Sequence, residues 1–174
     1  MKVLAVSGTR ADWGLLQPVL ALLRDDPRFD LEILITGQHL TPGAQSVAAI
    51  EAVGFAVSHR VDMGLSATGE DDAALCAATG RAVAGVAAVL ASACPDLMLV
   101  LGDRYEILGA VTAALLSKVP VAHIAGGDVT EGAFDDSIRH AMTKMSALHF
   151  TTTEAAATRV RQMGETPGHV FVTG

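Results

Sequence analysis

The sequence predicts a doubly wound α/β fold, in which helices cover a parallel β-sheet. Short apolar segments alternate with longer stretches that carry apolar residues at helical spacing. This alternation favours parallel strands joined by right-handed crossovers. Several short segments are apolar almost throughout, as is typical of strands buried on both faces. The chain has 174 residues, which is enough for one domain with a substantial core.

Seven segments have the length and apolar content of strands. They are Lys2–Ser7, Leu31–Thr36, Phe55–Ser58, Leu97–Leu101, Val121–Ile124, His149–Thr152 and Val170–Val172. Four apolar stripes at helical spacing lie between them and predict helices. In chain order the stripes are Leu15, Leu16, Val19 and Leu22 or Leu23; Leu75, Val83, Val86 and Leu90; Ile107, Val111, Ala114 and Leu115; and Ile138, Met142 and Met145.

The composition argues against several classes of protein. Hydrophobic residues make up 51% of the chain and aromatic residues only 4%, so small aliphatic side chains must build the core. A net charge of −7 argues against non-specific nucleic-acid binding. The two cysteines, Cys76 and Cys94, lack the spacing of a metal site. We interpret them as reduced, partly buried thiols of a cytoplasmic protein, with a disulfide as the alternative. We expect no metal and no cofactor.

No membrane segment is expected. Met1–Ser7 contains one lysine and a short apolar run, which fits a buried strand better than a signal peptide. The longest uncharged stretch, Ala82–Cys94, is too short to span a bilayer. The chain ends on an apolar strand followed by Gly174, with no closing helix, so we expect it to be one half of a larger protein.

Polar turns follow the first two predicted strands. Gly8, Thr9 and Arg10 follow the first, without the glycine spacing of a dinucleotide fingerprint. Backbone N–H groups at a helix start and the Arg10 guanidinium could hold an anion; the alternative is a simple turn with Arg10 in solvent. His39 follows the second strand and either faces the same crevice or bonds to loop backbone.

The later polar segments carry acids and glycines. Asp103 directly follows an apolar strand, where it could act in catalysis, pair with Arg104 or cap a helix. The loop after Val121–Ile124 contains Gly126, Gly127, Asp128 and Glu131, and glycines let the backbone approach a ligand closely. On the next helix, Asp135 faces Arg139 and Asp136 faces His140 at i, i+4, either toward the cleft or as surface salt bridges. His123 is either a base or a buried, bonded histidine.

The order of these motifs resembles a known family. The segments that carry the resemblance are Val6–Asp12, Ile35–Leu40, Val100–Glu106, Pro120–Ile124, Gly126–His140 and Thr143–Ser146. They resemble the amino-terminal half of the UDP-N-acetylglucosamine 2-epimerase family, nearest its hydrolysing, sialic-acid-pathway branch. The resemblance covers essentially the whole chain.

The resemblance implies a fold and a reaction. The family has two Rossmann-like domains in the arrangement called GT-B, so residues 1–174 would be the first domain, and a carboxy-terminal nucleotide-binding domain would be absent from this chain. Hydrolysing members convert UDP-N-acetylglucosamine to N-acetylmannosamine and UDP, through elimination to a 2-acetamidoglucal and hydration. The implied substrate is therefore a UDP-sugar, and the isolated chain is expected to be inactive.

The resemblance also implies site residues. Asp103 and Asp135 match acidic active-site positions, Arg139 matches an arginine beside the second of them, and Arg10 matches an arginine near the nucleotide phosphates. Ala125 departs from the family, in which several members carry glutamate there, so Asp128 or Glu131 could supply the missing carboxylate. The substrate-binding set is completed by Gly8, Thr9, His39, Gly126 and Gly127.

Two other functions stay open at this point. One is the non-hydrolysing epimerase, which returns the UDP-sugar. The other is a non-catalytic nucleotide-sugar-binding domain, which Ala125 and a missing second half would fit. The alanine-rich helix around residues 82–93 could serve a homodimer interface.

Overall fold

A computed structural model of the protein describes residues 1–67, 69–130 and 134–174. Its centre is a seven-stranded sheet in the order β3-β2-β1-β4-β5-β6-β7, in which every neighbouring pair is parallel. The strands are β1 (Lys2–Ser7), β2 (Asp30–Thr36), β3 (His59–Val61), β4 (Leu97–Leu101), β5 (Val121–Ile124), β6 (Leu148–Thr151) and β7 (Val170–Val172). The predicted doubly wound α/β fold is confirmed.

The helices of the described residues alternate with these strands. They are α1 (Arg10–Asp25), α2 (Ser46–Ala52), α3 (Asp72–Ala93), α4 (Tyr105–Leu116), α5 (Asp135–Met145) and α6 (Glu154–Gln162). Short 3-10 helices occupy Gly37–Leu40 and Pro167–His169.

The two faces of the sheet carry separate cores. Successive side chains of a strand point to opposite faces, so Leu4 and Val6 of β1 pack with α3, α4 and α5, while Val3 and Ala5 pack with α1 and α2. Right-handed crossovers explain this division, because connections toward β7 place helices on one face and connections toward β3 place them on the other.

The second face is incompletely covered. The helices that contribute buried residues to its core are α1 and α2. Over β4, β5 and β6 an apolar groove of about 640 Å3 remains. Side chains of Leu97, Leu101, Ile124, Leu148 and Phe150 line it and are only partly buried.

One predicted strand was misplaced. Phe55–Ser58 is not a strand; the third strand is His59–Val61, which pairs with Leu34–Thr36 of β2. Phe55 instead turns into the core beside Trp13, with the two ring centroids 5.3 Å apart and edge to face. Its aromatic bulk is used in packing between layers rather than in the sheet.

The predicted apolar stripe of α1 was partly wrong: Leu16 is buried and Leu23 packs against the core, but Leu15, Val19 and Leu22 are exposed. Trp13, Leu16 and Leu20 are buried, whereas Leu15 and Leu22 are 66% and 74% exposed. A shift of one residue rotates a side chain by about 100° around a helix, which carries it from the core to solvent. In α4, Leu115 is likewise 49% exposed, while Ile107, Val111 and Ala114 are buried as predicted.

The helix α3 is the longest helix of the described residues. At 22 residues it is long and apolar enough, by length and composition, to cross a membrane. In this fold one side of it packs closely: a Cβ added to Gly109 of α4 would lie 2.6 Å from Ala82, and one added to Gly85 would lie 2.5 Å from Val61. The cysteines at its two ends, Cys76 and Cys94, are unbonded but exposed, so the prediction of partial burial was wrong.

Candidate active site

Loops after β1, β2, β3 and β4 meet at the carboxyl edge of the sheet and enclose a cleft of about 850 Å3. The strands β1 and β4 are neighbours at the point where the strand order reverses, which is where ligands bind in sheets of this class. The cleft is lined by Thr9, Arg10, Gln38, Thr41, Ser46, Leu65, Glu70, Arg104 and Tyr105, among others.

The turn between β1 and α1 is held by Asp12. Thr9 and Asp12 form a capping box, in which each side chain accepts from the backbone N–H of the other. The Asp12 carboxylate also accepts from the N–H of Gly8, at 2.9 Å. The backbone N–H groups of Gly8 and Thr9 are therefore already hydrogen-bonded to Asp12. The Arg10 side chain of the same turn is exposed and borders the cleft.

His39 is buried at the back of this turn. Its Nε2 lies 2.8 Å from the Ser7 hydroxyl, which donates to Asp12. Because the single Ser7 proton is used, Nε2 of His39 is the donor to Ser7. Burial lowers the pKa of His39, so it is neutral near pH 7. The histidine is thus bonded to the side chain of Ser7, and a hydrogen bond with the backbone of Thr9 acts on its pKa as well.

Asp103 and Arg139 form an ion pair across the strand ends. The guanidinium of Arg139 donates to Asp103 and, at 2.7 Å, to the hydroxyl of Thr130. The two side chains are only 17% and 10% exposed, respectively. Helical spacing predicted that Arg139 pairs with Asp135, and this prediction was wrong. Arg139 pairs instead with Asp103, 36 residues away in the sequence.

The acids at the start of α5 lie one turn before Arg139. Asp136 approaches His140 at 3.8 Å, as its spacing predicted, and accepts a long hydrogen bond from the N–H of Thr130. Asp135 is half-buried, and its carboxylate makes no hydrogen bond with the residues that the structure describes. Its oxygens are free of the pairing that fixes Asp103.

The glycine loop after β5 is fastened to the next βα turn. Asp128 accepts from Thr152 at 2.7 Å, and Arg159 donates to the carbonyl of Gly127. Gly127 has a φ of +78°, and an added Cβ would lie 2.4 Å from the carbonyl oxygen of Ala156. Only glycine fits this position. Glu131, also predicted for the site, lies outside the described residues.

Ala125 lies in the turn directly after β5. Ala125 adopts a φ of +61°, which is uncommon for a residue other than glycine. Its N–H donates to the carbonyl of Phe150 at 2.9 Å. The residue borders the apolar groove, so this position faces an apolar surface.

Beside this loop, His123 is completely buried under the site. Its Nε2 lies 2.7 Å from the carbonyl oxygen of Gly102, and its Nδ1 lies 3.4 Å from the hydroxyl of Thr143. Burial lowers its pKa to about 4, so the ring is neutral and cannot act as a base exposed to substrate. The buried, bonded alternative therefore describes His123.

Arg104 was not among the predicted site residues. Its guanidinium donates twice to Glu106, at 3.1 and 3.0 Å, and Glu106 is fully buried. Burial by itself lowers the pKa of Arg104, but the hydrogen bonds to Glu106 outweigh it and the net shift is upward. Both residues follow a strand directly at the start of a helix, but nothing in the sequence marks Glu106 as buried. Gln38, beside His39, was also missed.

Within the described ranges, no group of three or more histidine, cysteine or acidic side chains could hold a metal ion. The fold and the site together define a doubly wound α/β domain whose cleft presents Arg10 and Arg104. The buried Asp103–Arg139 pair lies at the strand ends next to Arg104, and neither partner lines the cleft itself. The guanidinium groups that line the cleft suit an anionic, polar ligand.

Comparison with known proteins places this domain in a family. The sequence model of the UDP-N-acetylglucosamine 2-epimerase family matches residues 21–174. The chain belongs to this family, which confirms the resemblance, and relatives described as hydrolyzing match it over 99% of its length.

Curated relatives are longer than this chain. It is 35% identical over 173 residues to a GDP/UDP-N,N'-diacetylbacillosamine 2-epimerase (hydrolyzing) of Campylobacter jejuni, covering 99% of this chain and 44% of that protein. It is 37% identical over 174 residues to the corresponding UDP-N,N'-diacetylbacillosamine enzyme of Legionella pneumophila, covering 99% and 45%. The chain thus spans less than half the length of these relatives.

A solved structure agrees with the fold. The UDP-GlcNAc 2-epimerase of Neisseria meningitidis, determined with bound UDP-GlcNAc, superimposes with a TM-score of 0.85 at 26% identity. The superposition covers 100% of this chain and 46% of that one.

Proposed function

We propose that this chain is the amino-terminal, chemistry-bearing half of a hydrolysing nucleotide-sugar 2-epimerase. The observation that carries the proposal is the buried Asp103–Arg139 pair at the strand ends, beside the arginine-lined cleft. The proposed substrate is UDP-N-acetylglucosamine or a more heavily acetylated relative, since similar proteins act on UDP-N,N'-diacetylbacillosamine. The products are the corresponding 2-epimeric free sugar and UDP.

The proposed reaction proceeds by elimination and hydration. A carboxylate removes the proton from C2 of the sugar while the C1–O bond to UDP breaks, which leaves a 2-acetamidoglucal. Water then adds across the double bond, with its oxygen at C1 and a proton at C2. Such steps need groups that accept and donate protons within hydrogen-bond reach of the sugar.

The side chains can be assigned to these needs. Asp103 and Asp135 are the proposed proton-transfer groups: Arg139 fixes the first, while the second makes no hydrogen bond to described residues. Arg10 and Arg104, which border the cleft, are proposed to face the diphosphate, since guanidinium groups match phosphate oxygens in pairs. Asp128 or Glu131 is proposed to replace the carboxylate missing at position 125.

The domain organisation is proposed on the same basis. Residues 1–174 form the first domain of a GT-B protein, and a second domain supplies most uridine contacts. Relatives more than twice as long support this arrangement. We place the protein in the cytoplasm, in amino-sugar metabolism of the sialic-acid type, without a nucleic-acid or membrane partner.

Solvent-isotope exchange tests the proposal in the two-domain protein. In deuterated water, wild type should release UDP and place deuterium at C2 of the product. Asp103→Asn and Asp135→Asn should each slow turnover about 100-fold or more, as is usual for loss of a general acid or base. Asp136→Asn is the matched control on the same helix and should be milder. Wild-type UDP release by both of the first two variants would make their carboxylates structural.

A second candidate is a non-catalytic nucleotide-sugar-binding domain, which Ala125 favours because the position is apolar. The same experiment separates the two functions. A binding domain would retain UDP-sugar, without releasing UDP or incorporating deuterium. The non-hydrolysing epimerase would instead return a deuterated UDP-sugar. The isolated 174-residue chain should show little turnover, and full-rate turnover by it would contradict the two-domain proposal.

A further inference from the structure

The buried imidazole of His123 contacts the supports of both partners in the Asp103–Arg139 pair. On one side, its Nε2 lies 2.7 Å from the carbonyl oxygen of Gly102, the residue directly before Asp103. A carbonyl only accepts, so Nε2 carries the proton and donates it. The neutral state that burial imposes agrees with this tautomer.

Both polar backbone groups of Gly102 are hydrogen-bonded to residues of β5. Its N–H donates to the carbonyl of Ile124 at 3.1 Å, so consecutive residues of β5 bind both polar groups of Gly102. Gly102 has a φ of +88°, a conformation in which glycine is unstrained but which sets a sharp turn. Without the donor of His123, the carbonyl that orients the next residue, Asp103, would lose its partner.

On the other side, the ring meets α5. Its unprotonated Nδ1 lies 3.4 Å from the hydroxyl of Thr143, and that hydroxyl donates its proton to the carbonyl of Arg139 at 3.0 Å. The ring therefore packs against Thr143 without a hydrogen bond to it, and it sets the position of this helical turn by contact. Thr143 is one helical turn beyond Arg139 and is fully buried. Gly126 closes the third side, because an added Cβ would lie 3.0 Å from both the ring and the Thr143 hydroxyl.

We infer that His123 is a positioning residue, whose imidazole holds the turn carrying Asp103 and the helical turn carrying Arg139 at a fixed separation. It touches no substrate in this role. Its effect on catalysis rests on the proposed function, whereas its effect on the geometry of the pair does not. Because misplacement of a catalytic group by about 1 Å can cost about 100-fold in rate, the role has a measurable consequence.

Four variants test the inference. His123→Gln keeps an N–H near the position of Nε2, His123→Leu removes it, and His123→Asn is too short to reach Gly102. His149→Gln is the matched control, because His149 is the neighbour of His123 in strand register, is equally buried and bonds to Glu165 instead of the site. Folding of each variant is checked by circular dichroism, and His123→Asn replaces His123→Leu if the latter does not fold.

The first readout uses the 174-residue chain and needs no activity. In wild type, nitrogen NMR should find the Nε2–H tautomer of His123. In wild type, His123→Gln and His149→Gln, it should also find that the guanidinium of Arg139 rotates slowly. In His123→Leu or His123→Asn the guanidinium should rotate freely. A guanidinium that stays fixed in these two variants would overturn the inference.

The second readout uses the two-domain protein. We expect kcat of His123→Leu or His123→Asn to fall about 10- to 100-fold with KM nearly unchanged, and His123→Gln to recover most of the rate. An equal fall of kcat in His149→Gln, or no recovery in His123→Gln, would reduce His123 to a general stability residue. If wild type releases no UDP while the NMR result holds, the proposed function fails and the positioning role stands.

Discussion

Acidification should destabilise the chain through the burial of His123. The pKa of this imidazole is about 4 in the folded protein because burial disfavours its charged form, while an unfolded chain has the ordinary value of 6.5. As pH falls through 6.5 the unfolded state binds a proton and the folded state does not. The stability that is present above pH 6.5 is therefore lost progressively until about pH 4, below which both states are protonated.

The size of this loss follows from the two pKa values. A difference of about 2.5 pH units, at about 1.4 kcal/mol per unit, corresponds to about 3 kcal/mol between pH 7 and pH 4. His39 and His149 act in the same direction, because burial lowers the pKa of each. One group alone would remove a large share of the stability of a typical domain, which is about 5–15 kcal/mol.

Urea unfolding of the 174-residue chain at pH values between 7 and 4.5 measures this loss. His123→Gln has no titrating ring, so its free energy of unfolding should fall about 2–3 kcal/mol less than that of wild type over this range. Staying above pH 4.5 limits the contribution of carboxylates such as Glu32, whose pKa is lowered by the hydrogen bond from Lys2. Parallel pH curves for the two proteins would refute the assigned burial of a neutral ring.

Three further substitutions test packing and capping by urea unfolding. Gly109→Ala should destabilise by about 1–3 kcal/mol, because the new methyl group would lie 2.6 Å from Ala82 in α3. Gly80→Ala, on an exposed part of α3 with nothing within 4 Å, should stabilise by about 1 kcal/mol; a gain at both positions would contradict the close helix contact. Thr9→Ala removes the cap on the N–H of Asp12 and should destabilise by about 1 kcal/mol, and an unchanged midpoint would argue against the capping box.

The parts of the fold that the sequence predicted are those set by local pattern. Six strands are recognisable because buried parallel strands are continuous apolar runs. The third was misplaced because β3 has only three residues, and its position depends on pairing with β2 rather than on its own composition. In α1 the adjacent leucines at 15 and 16 fit two stripes, and the position of Trp13 against Phe55 decides between them.

The site shows the same division between local and long-range information. The polar turns could be placed at one edge of the sheet because parallel strands end together. The partner of Arg139 could not be predicted in this way. Helical spacing predicts Asp135 as the partner, whereas in the fold Arg139 contacts Asp103 at the end of β4. Arg104 and Glu106 were missed because a buried glutamate is indistinguishable in sequence from an exposed one at a helix start.

The incomplete cover over one face of the sheet gives the two halves of the domain different local stabilities. Amides of β1 and β2 lie between two packed layers, so they should exchange with solvent only when the whole domain unfolds. Amides of β6 and β7 have a packed layer on one side, whereas on the other Leu148 and Phe150 are only partly buried and Phe171 is 42% exposed. They should open in smaller units, so we expect the Asp128–Thr152 hydrogen bond in the 174-residue chain to break in local openings before the whole domain unfolds.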